Sequence, residues 1–594
     1  MRALSAASLG ERVIPRSRPR DLWLVACITA LVMSRALTAG FVADDLWLIA
    51  RNPVTRDPSN VLRLVTEPMW GFLVPDGYLQ PGYWRPLSSV LLMLGWCLGG
   101  GGALGLHALC LALHVAAACM AYRLALVLSR SARVALFAGL LFALHPAQVE
   151  PVMWVSAISD PLGTLLCLTA AVGFFRWLTT DGHAAAWRCS VWFALALLTK
   201  ESAVTLPLLL LLVRACVGRR LVRSPNPWPL LLGAAAILGL YFEARILVLG
   251  SVLGGGEGVV VDPGAPTLVK STGLDQPLLM VHKLWLPGLS GSVAPSIALV
   301  FAVAWLGAAL LVWRRRRARL PLAGIAWLVV GVLPMVLMRD SIAGDKGEDR
   351  FLNLGLWGFA VSLGALLAPL RWGRIVLVIL LGSYAVVSWQ ASAAWQNQLE
   401  FVQFRCVQHP RSVAWHCELA RTHLDRASSL GWATPAQTAQ LALAQRTYLS
   451  TRELLAQERH RLPDPEARWL DTQLELGLGY HDLLAARSES DITRAVQRFR
   501  LLAKSHEGDF RVLTGLGVAL GLARDLAGAE RALRAALRIQ PRHAEALFDL
   551  GRVLWMQHRP DEALPYLEEA LARNPGDPKV RELLDQVHAG LRER

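Results

Sequence analysis

Hydrophobic and polar positions fall into blocks along this chain. Apolar runs rich in Leu, Ala, Val and Trp occupy 22–40, 105–128, 134–148, 160–178, 188–199, 203–217, 228–249, 295–313, 321–338, 352–370 and 373–392. A membrane-crossing helix needs roughly 20 such residues, so these eleven runs are read as spans. The piece 86–99, PLSSVLLMLGWCLG, is shorter and leads into Gly99–Gly102. It is read as an interfacial helix lying on the membrane. Beyond residue 392 the blocks give way to helical periodicity rich in Arg, Glu, Gln and Ala. The pattern predicts an all-α chain: a basic tail over 1–20, a polytopic membrane helix bundle over 21–392 with a long loop at 41–104, and a helical domain over 393–594.

That last domain repeats itself. GDFRVLTGLGVALGLARDLAGAERALRAALRIQP, residues 508–541, has the plan of RHAEALFDLGRVLWMQHRPDEALPYLEEALARNP, residues 542–575. Gly517 matches Gly551, Ala529 matches Ala563, Ala536 matches Ala570 and Pro541 matches Pro575. Small residues at fixed positions let two antiparallel helices pack closely, and a 34-residue period with Pro at its end resembles the tetratricopeptide repeat. An upstream unit keeps Ala495 and Phe499, and the stretches from Pro410 and over 433–485 read as eroded helical hairpins. Such units stack into an α-solenoid with a concave face, which suits binding or scaffolding.

Charge sets the orientation. With 86–99 kept off the count, the links RSRPRD, SRSAR, RACVGRRLVR, WRRRRAR and RWGR all fall on one side, which the positive-inside rule makes the cytoplasm. The loop 41–104, the loops 149–159 and 250–294, and RDSIAGDKGEDRF then face the exterior. An odd number of spans puts the repeat domain there too. The basic N-terminus precedes a run with no clean small-x-small cleavage site, so it reads as leading into a retained first helix.

Composition agrees with a membrane part joined to a soluble part: 54% hydrophobic residues, 18% charged, mean hydropathy +0.40 over 594 residues. The net charge of +15 is concentrated in links between apolar runs. That fits topology and anionic-lipid contact, and no nucleic-acid-binding motif is present. The nine cysteines, several inside apolar runs (Cys27, Cys110, Cys119, Cys167), show no metal-binding spacing and read as small buried hydrophobes.

Ionisable groups at span edges are costly and default to function. Here they gather on the exterior face: Asp44 and Asp45 in FVADDLWLIARNP, Arg85 in YWRPLS, His145 and Glu150 in FALHPAQVEPVMW, Asp160 in SDPLG, Lys200 and Glu201 in LLTKESAVT, Lys270, His282 and Lys283, and Glu348, Asp349 and Arg350 in GEDRFLNLG. Trp70, Tyr78, Tyr83, Trp84 and Trp154 share those loops. A carboxylate can take a proton from a hydroxyl nucleophile. Two adjacent carboxylates repel, so either one is raised in pKa or a divalent cation joins Asp44 and Asp45. The plainer alternative is that the pair caps the next helix. Arg and Lys neutralise phosphate charge that develops on leaving, and aromatic rings offer faces to sugars or lipid tails. A hydroxyl acceptor, a carboxylate base and a lipid-phosphate leaving group describe glycosyl transfer from a polyprenyl-phosphate sugar through an oxocarbenium-like transition state.

The order of these elements resembles the transmembrane and tetratricopeptide repeat-containing O-mannosyltransferases of the GT-C glycosyltransferase superfamily. The resemblance implies a lipid-linked sugar donor and an acidic motif in the first exterior loop, which Asp44 and Asp45 match as catalytic candidates. It sets Arg85 on the Arg of a YRPL motif, and His145, Glu150 and Asp160 on an HP…E…D stretch. Lys200 and Glu201 fall on an AKE element and Arg350 on the Arg of an ERYLYLP element. Donor-phosphate binding is expected of Arg350, Lys200 and Arg85, and substrate binding of His145, Glu150, Asp160 and Glu201. This chain departs from the pattern in DRFLNLG, which lacks the Tyr and Pro, in ISDPLG where the family has GRADLL, and in its short repeat array. The expectation is an integral-membrane glycosyltransferase, with a protein or glycan acceptor presented by the repeat domain, in a bacterial inner membrane with its site in the periplasm. The altered DRFLNLG motivates an alternative: an inactive membrane-anchored scaffold for envelope or glycan assembly. A transporter fits less well, since the ionisable groups sit at one face and no inverted repeat is evident.

Overall fold

A computed structural model of the chain describes residues 17–71, 83–180, 183–217, 228–252, 283–285, 294–316, 319–337, 349–462, 464–506, 508–573 and 577–592. Tyr78, Lys270, His282 and Glu348 lie outside the described residues. Among the described residues every regular element is helical and there is no strand.

Among the described residues twelve helices of twelve residues or more build the first part: α1 (Pro19–Val32), α2 (Pro86–Leu98), α3 (Ala103–Ser129), α4 (Ala132–Leu144), α5 (Ser159–Thr180), α6 (His183–Leu197), α7 (Leu206–Val217), α8 (Trp228–Leu249), α9 (Ala294–Arg316), α10 (Leu320–Leu337), α11 (Asn353–Leu367) and α12 (Arg371–Ala393). Each expected apolar run is largely helical. Five described helices are long and apolar enough to cross a bilayer by themselves, six if the bent α4 pair counts as one. The chain is an integral membrane protein by these segments, but the expected count of eleven spans is not reached on length alone. The 15 residues of α6 and the 12 of α7 rise roughly 22 and 18 Å, against a hydrocarbon core of about 30 Å. The first run also ends early. Its helix stops at Val32, and Ser34–Thr38 form a tighter turn whose groups bond far along the chain, Thr38 Oγ1 donating to Gln396 Oε1 at 2.8 Å.

A large apolar core joins α1 and α3–α12. The helices α5 and α11 are almost wholly buried in it, whereas α8 and α12 turn most of their apolar surface outward, as lipid-facing helices do. Glycines set the closest crossing. A Cβ on Gly324 of α10 would fall on the Gly358 carbonyl of α11, one on Gly358 would fall on the Gly324 carbonyl, and one on Gly331 would come within 2.9 Å of the Gly355 Cα. The two backbones therefore touch, the small-residue packing that membrane helices favour. At the end of α4, Pro146 forces His145 into an extended conformation. The following turns through Met153 leave at 56° to α4 and carry Glu150 back against the bundle.

The second part is a run of helical hairpins: α13 (Gln398–Gln408), α14 (Val413–Ser429) with α15 (Pro435–Glu458), α16 (Asp464–Ala485) with α17 (Glu489–Ser505), α18 (Phe510–Leu522) with α19 (Leu526–Ile539), α20 (Ala544–Met556) with α21 (Pro560–Arg573), and a terminal α22 (Pro578–Arg592). The two clear repeats are the last two hairpins. The matched glycines face their partner helices: a Cβ on Gly551 would stand 2.6 Å from Leu567 Cγ. The helix starts are written locally. Asn397 Oδ1 accepts from the Glu400 N–H at 3.1 Å, and Ser488 with Asp491 forms a capping box. One apolar cluster runs through α14–α16 and another from α16 to α22. A third joins Met33, Val42, Val149 and Met153 to Trp395, Phe401 and Val402, so the hairpin array is seated on the acidic loop.

Candidate functional site

The acidic loop is shaped by its own backbone. Ala43 takes the left-handed conformation, φ +49°, and the chain then enters a short turn at Leu46–Ala50 in which the Asp44 carbonyl accepts from the Leu48 N–H at 2.7 Å and the Trp47 N–H at 3.1 Å. This sends the two adjacent carboxylates different ways. Asp45 is fully buried. Its Oδ1 accepts from both the N–H and the hydroxyl of Ser156 at 2.6 Å, and its Oδ2 faces the Val42 N–H at 3.4 Å. Asp44 instead lines a cavity of about 130 Å³. Burial pushes the Asp45 carboxyl up to about 7, against the pull of the Ser156 and Val42 hydrogen bonds.

Six of the nine candidate residues line that cavity: Asp44, Arg85, Asp160, Lys200, Glu201 and Arg350. They arrive from the acidic loop, the start of α2, the start of α5, the turn before α7 and the turn before α11. The acids and cations are interlocked. Arg85 holds Glu201 through both its Nε and Nη2, the shortest bond 2.9 Å. Lys200 pairs with Asp160. Arg350 stacks on the Trp154 ring at 4.4 Å, with Phe351 at 5.3 Å, and its Nε lies 3.9 Å from Glu150. Burial pushes the Lys200 ammonium down, and neighbouring Asp160 offsets part of that. For Glu201 burial alone would raise the pKa, but Arg85 and Arg245 outweigh it and the group lies below the usual carboxylate range. Met69, Trp70, Tyr83 and Leu354 supply apolar and aromatic wall.

Three candidates stand behind this lining. Asp45 is turned inward, as described. Glu150 accepts from the Asp349 N–H at 3.0 Å and faces Arg350, so it braces the Arg350 turn, while Lys283 pairs with Asp349. His145 is buried, with Nε2 3.0 Å from the Leu284 carbonyl and Nδ1 accepting from the Ala147 N–H at 3.1 Å. Those partners fix the bend after α4.

Two contributors were missed by the sequence reading. Arg245 of α8 reaches Glu201 at 3.7 Å, and an Arg inside an apolar span was the signal available. Ser156, which fixes Asp45, carried none. Among the described residues no group of three or more His, Cys, Asp or Glu stands at metal-binding spacing. Asp44 and Asp45 diverge, so the pair does not offer both carboxylates to one ion here.

Residues 514–578 match the tetratricopeptide repeat family model. The chain is also similar to proteins named protein O-mannosyl-transferase. It is 34% identical over 175 residues to Tmtc1 of Drosophila melanogaster, covering 29% of this chain and 20% of that one. It is 31% identical over 190 residues to Tmtc2 of the same organism, covering 31% and 20%. It is 30% identical over 216 residues to TMTC1 of Mus musculus, covering 33% and 23%. The matched stretches thus span about a fifth of the length of these curated relatives.

Proposed function

We propose that this chain is an integral-membrane glycosyltransferase of the GT-C kind that moves a sugar from a polyprenyl-phosphate donor to a hydroxyl of a protein or glycan on the exterior face. The observation that carries this reading is one cavity in which Asp44 shares the lining with Arg85, Lys200 and Arg350. The acceptor hydroxyl attacks the anomeric carbon as the bond from that carbon to the phosphate oxygen breaks. Asp44 takes the hydroxyl proton, and the lipid phosphate leaves with the electron pair. Arg350, Lys200 and Arg85 stabilise the charge that grows on it, in a partly buried site where such stabilisation is worth most. Trp70 and Tyr83 offer aromatic faces to the sugar or the lipid. Asp45 and Glu150 hold the two turns that present Asp44 and Arg350. The hairpin array presents or selects the acceptor, and the membrane is a bacterial inner membrane with this face in the periplasm. The similarity to proteins named protein O-mannosyl-transferase favours mannose.

The test is incubation of the purified full chain with polyprenyl-phosphate mannose and a hydroxyl-bearing acceptor, following freed lipid phosphate. Asp44→Asn is expected to cut turnover about 10²- to 10⁴-fold with donor binding retained, and Arg350→Ala to weaken donor binding. Full turnover in Asp44→Asn would remove the base assignment. One observation favours a second reading, the inactive scaffold: Arg85, Lys200 and Arg350 each already meet a carboxylate of the protein. No lipid phosphate released from any polyprenyl-phosphate sugar would leave that reading standing.

A further inference from the structure

We propose that Gln398, at the first turn of the hairpin array, is a positioning residue for Asp44 and couples the array to the transfer site. This rests on the reading of Asp44 as the base. The Ala43 N–H, one residue before Asp44, donates to Gln398 Oε1 at 2.8 Å. Gln398 Nε2 in turn donates to Glu418 Oε1 of α14 at 3.2 Å. Glu418 is held within its own helix by Arg421 at 3.3 Å. A line of three hydrogen-bonded groups thus runs from the first hairpin to the backbone of the acidic loop.

The clamp acts at the loop's least comfortable residue. Ala43 has φ +49°, where the Cβ of an L residue crowds the backbone and only glycine sits freely. Something outside the residue must hold it there. The neighbouring Asp45 is fixed through Ser156 and the Asp44 carbonyl is fixed by the Leu48 N–H, so the segment is pinned after Ala43. Before it, the Gly40 N–H donates to the Gln396 carbonyl at 2.9 Å, and Gln396 Nε2 donates to the Arg35 carbonyl at 3.2 Å. Gln398 is the side chain that secures the left-handed residue between these two anchors. If Ala43 relaxes to negative φ, the peptide plane into Asp44 turns and its carboxylate leaves its place in the cavity wall. A displacement on the order of 1 Å at such a group lowers turnover about 100-fold.

The array therefore orders the base as well as standing beside it, and any acceptor that shifts α13 against α14 acts on Asp44 through Gln398. Gln398 itself does not line the cavity, so it touches neither sugar nor phosphate.

The experiment compares the full chain with Gln398→Ala and Gln398→Ala/Ala43→Gly in lipid nanodiscs. It reads hydrogen exchange of the amides over 42–46 together with steady-state transfer. In Gln398→Ala, exchange is expected to accelerate at least tenfold and kcat to fall about 10- to 100-fold, while KM for the lipid-phosphate sugar stays within about twofold because the cations that hold it are elsewhere. Ala43→Gly in that background is expected to recover most of kcat, since glycine needs no clamp at positive φ. General damage to the array would not be repaired by a change at residue 43. Unchanged exchange in Gln398→Ala, accelerated exchange with unchanged kcat, or no recovery in the double variant would each overturn the proposal. Full turnover in Asp44→Asn would instead overturn the base assignment, and the exchange result would still stand as a measure of what Gln398 does to the loop.

Discussion

Two aspartates with the same chemistry and adjacent positions end in opposite environments. Asp44 faces the cavity and Asp45 is sealed onto Ser156. Nothing in the local sequence separates them, because the partner that decides is 111 residues away. The difference is measurable through pH. Asp45 titrates near 3.8 when unfolded and at about 7 when folded, so the folded chain binds the proton more tightly. Stability from this group is present in full below about pH 4, falls as pH rises towards 7, and is level above that. Each pKa unit corresponds to roughly 1.4 kcal/mol. Asp45→Asn keeps an oxygen for Ser156 and cannot ionise. It is expected to flatten this slope, so that the melting temperature of the variant gains on the parent as pH rises from about 5 to 7.5. Parallel curves across that range would show that Asp45 does not titrate there.

At the scale of elements, backbone contact between α10 and α11 is the feature that places one wall of the cavity. Gly331 of α10 and Arg350, Phe351 and Leu354 at the head of α11 line the same cavity. Gly358→Val would drive a branched side chain onto the Gly324 carbonyl. The expected outcome is a loss of roughly 1–3 kcal/mol or more together with weakened binding of the lipid-phosphate sugar, read by thermal melting and by KM. Gly239→Val on α8, where an added Cβ meets nothing within 4 Å, serves as the matched control and is expected to leave both unchanged. Equal behaviour of the two variants would remove the crossing from the account. The helices themselves were legible in the sequence, as apolar runs and as a 34-residue repeat, since both signals are local. That α10 and α11 pair through glycine was not legible, because a Gly on an apolar helix looks the same whether it faces lipid, as open space around Gly239 allows, or a neighbouring backbone.

For the whole molecule, the hairpin array and the acidic loop share a core at Met33, Val42, Trp395 and Phe401 and a backbone hydrogen bond between Gly40 and Gln396. They must lie on one side of the membrane, whatever the number of spans. With the exposed Cys27 and Cys97 changed to serine, thiols placed at Ser59 and Ser428 are expected to react together with an impermeant maleimide added outside. One at Arg133 is expected to react only after the membrane is opened. Opposite labelling of Ser59 and Ser428 would contradict the fold. Their joint labelling from the cytosol would contradict the exterior site. The sequence by itself determined the helical character of both parts, the basic links and the repeat, since each is written within one turn or one repeat of chain. It also carried the candidate acids and cations. Only the tertiary structure decided which acid faces the cavity, which cation meets which carboxylate, and that a glutamine of the array holds the residue before Asp44. Those choices rest on contacts between residues 40 to 355 positions apart, and no periodicity along a chain encodes them.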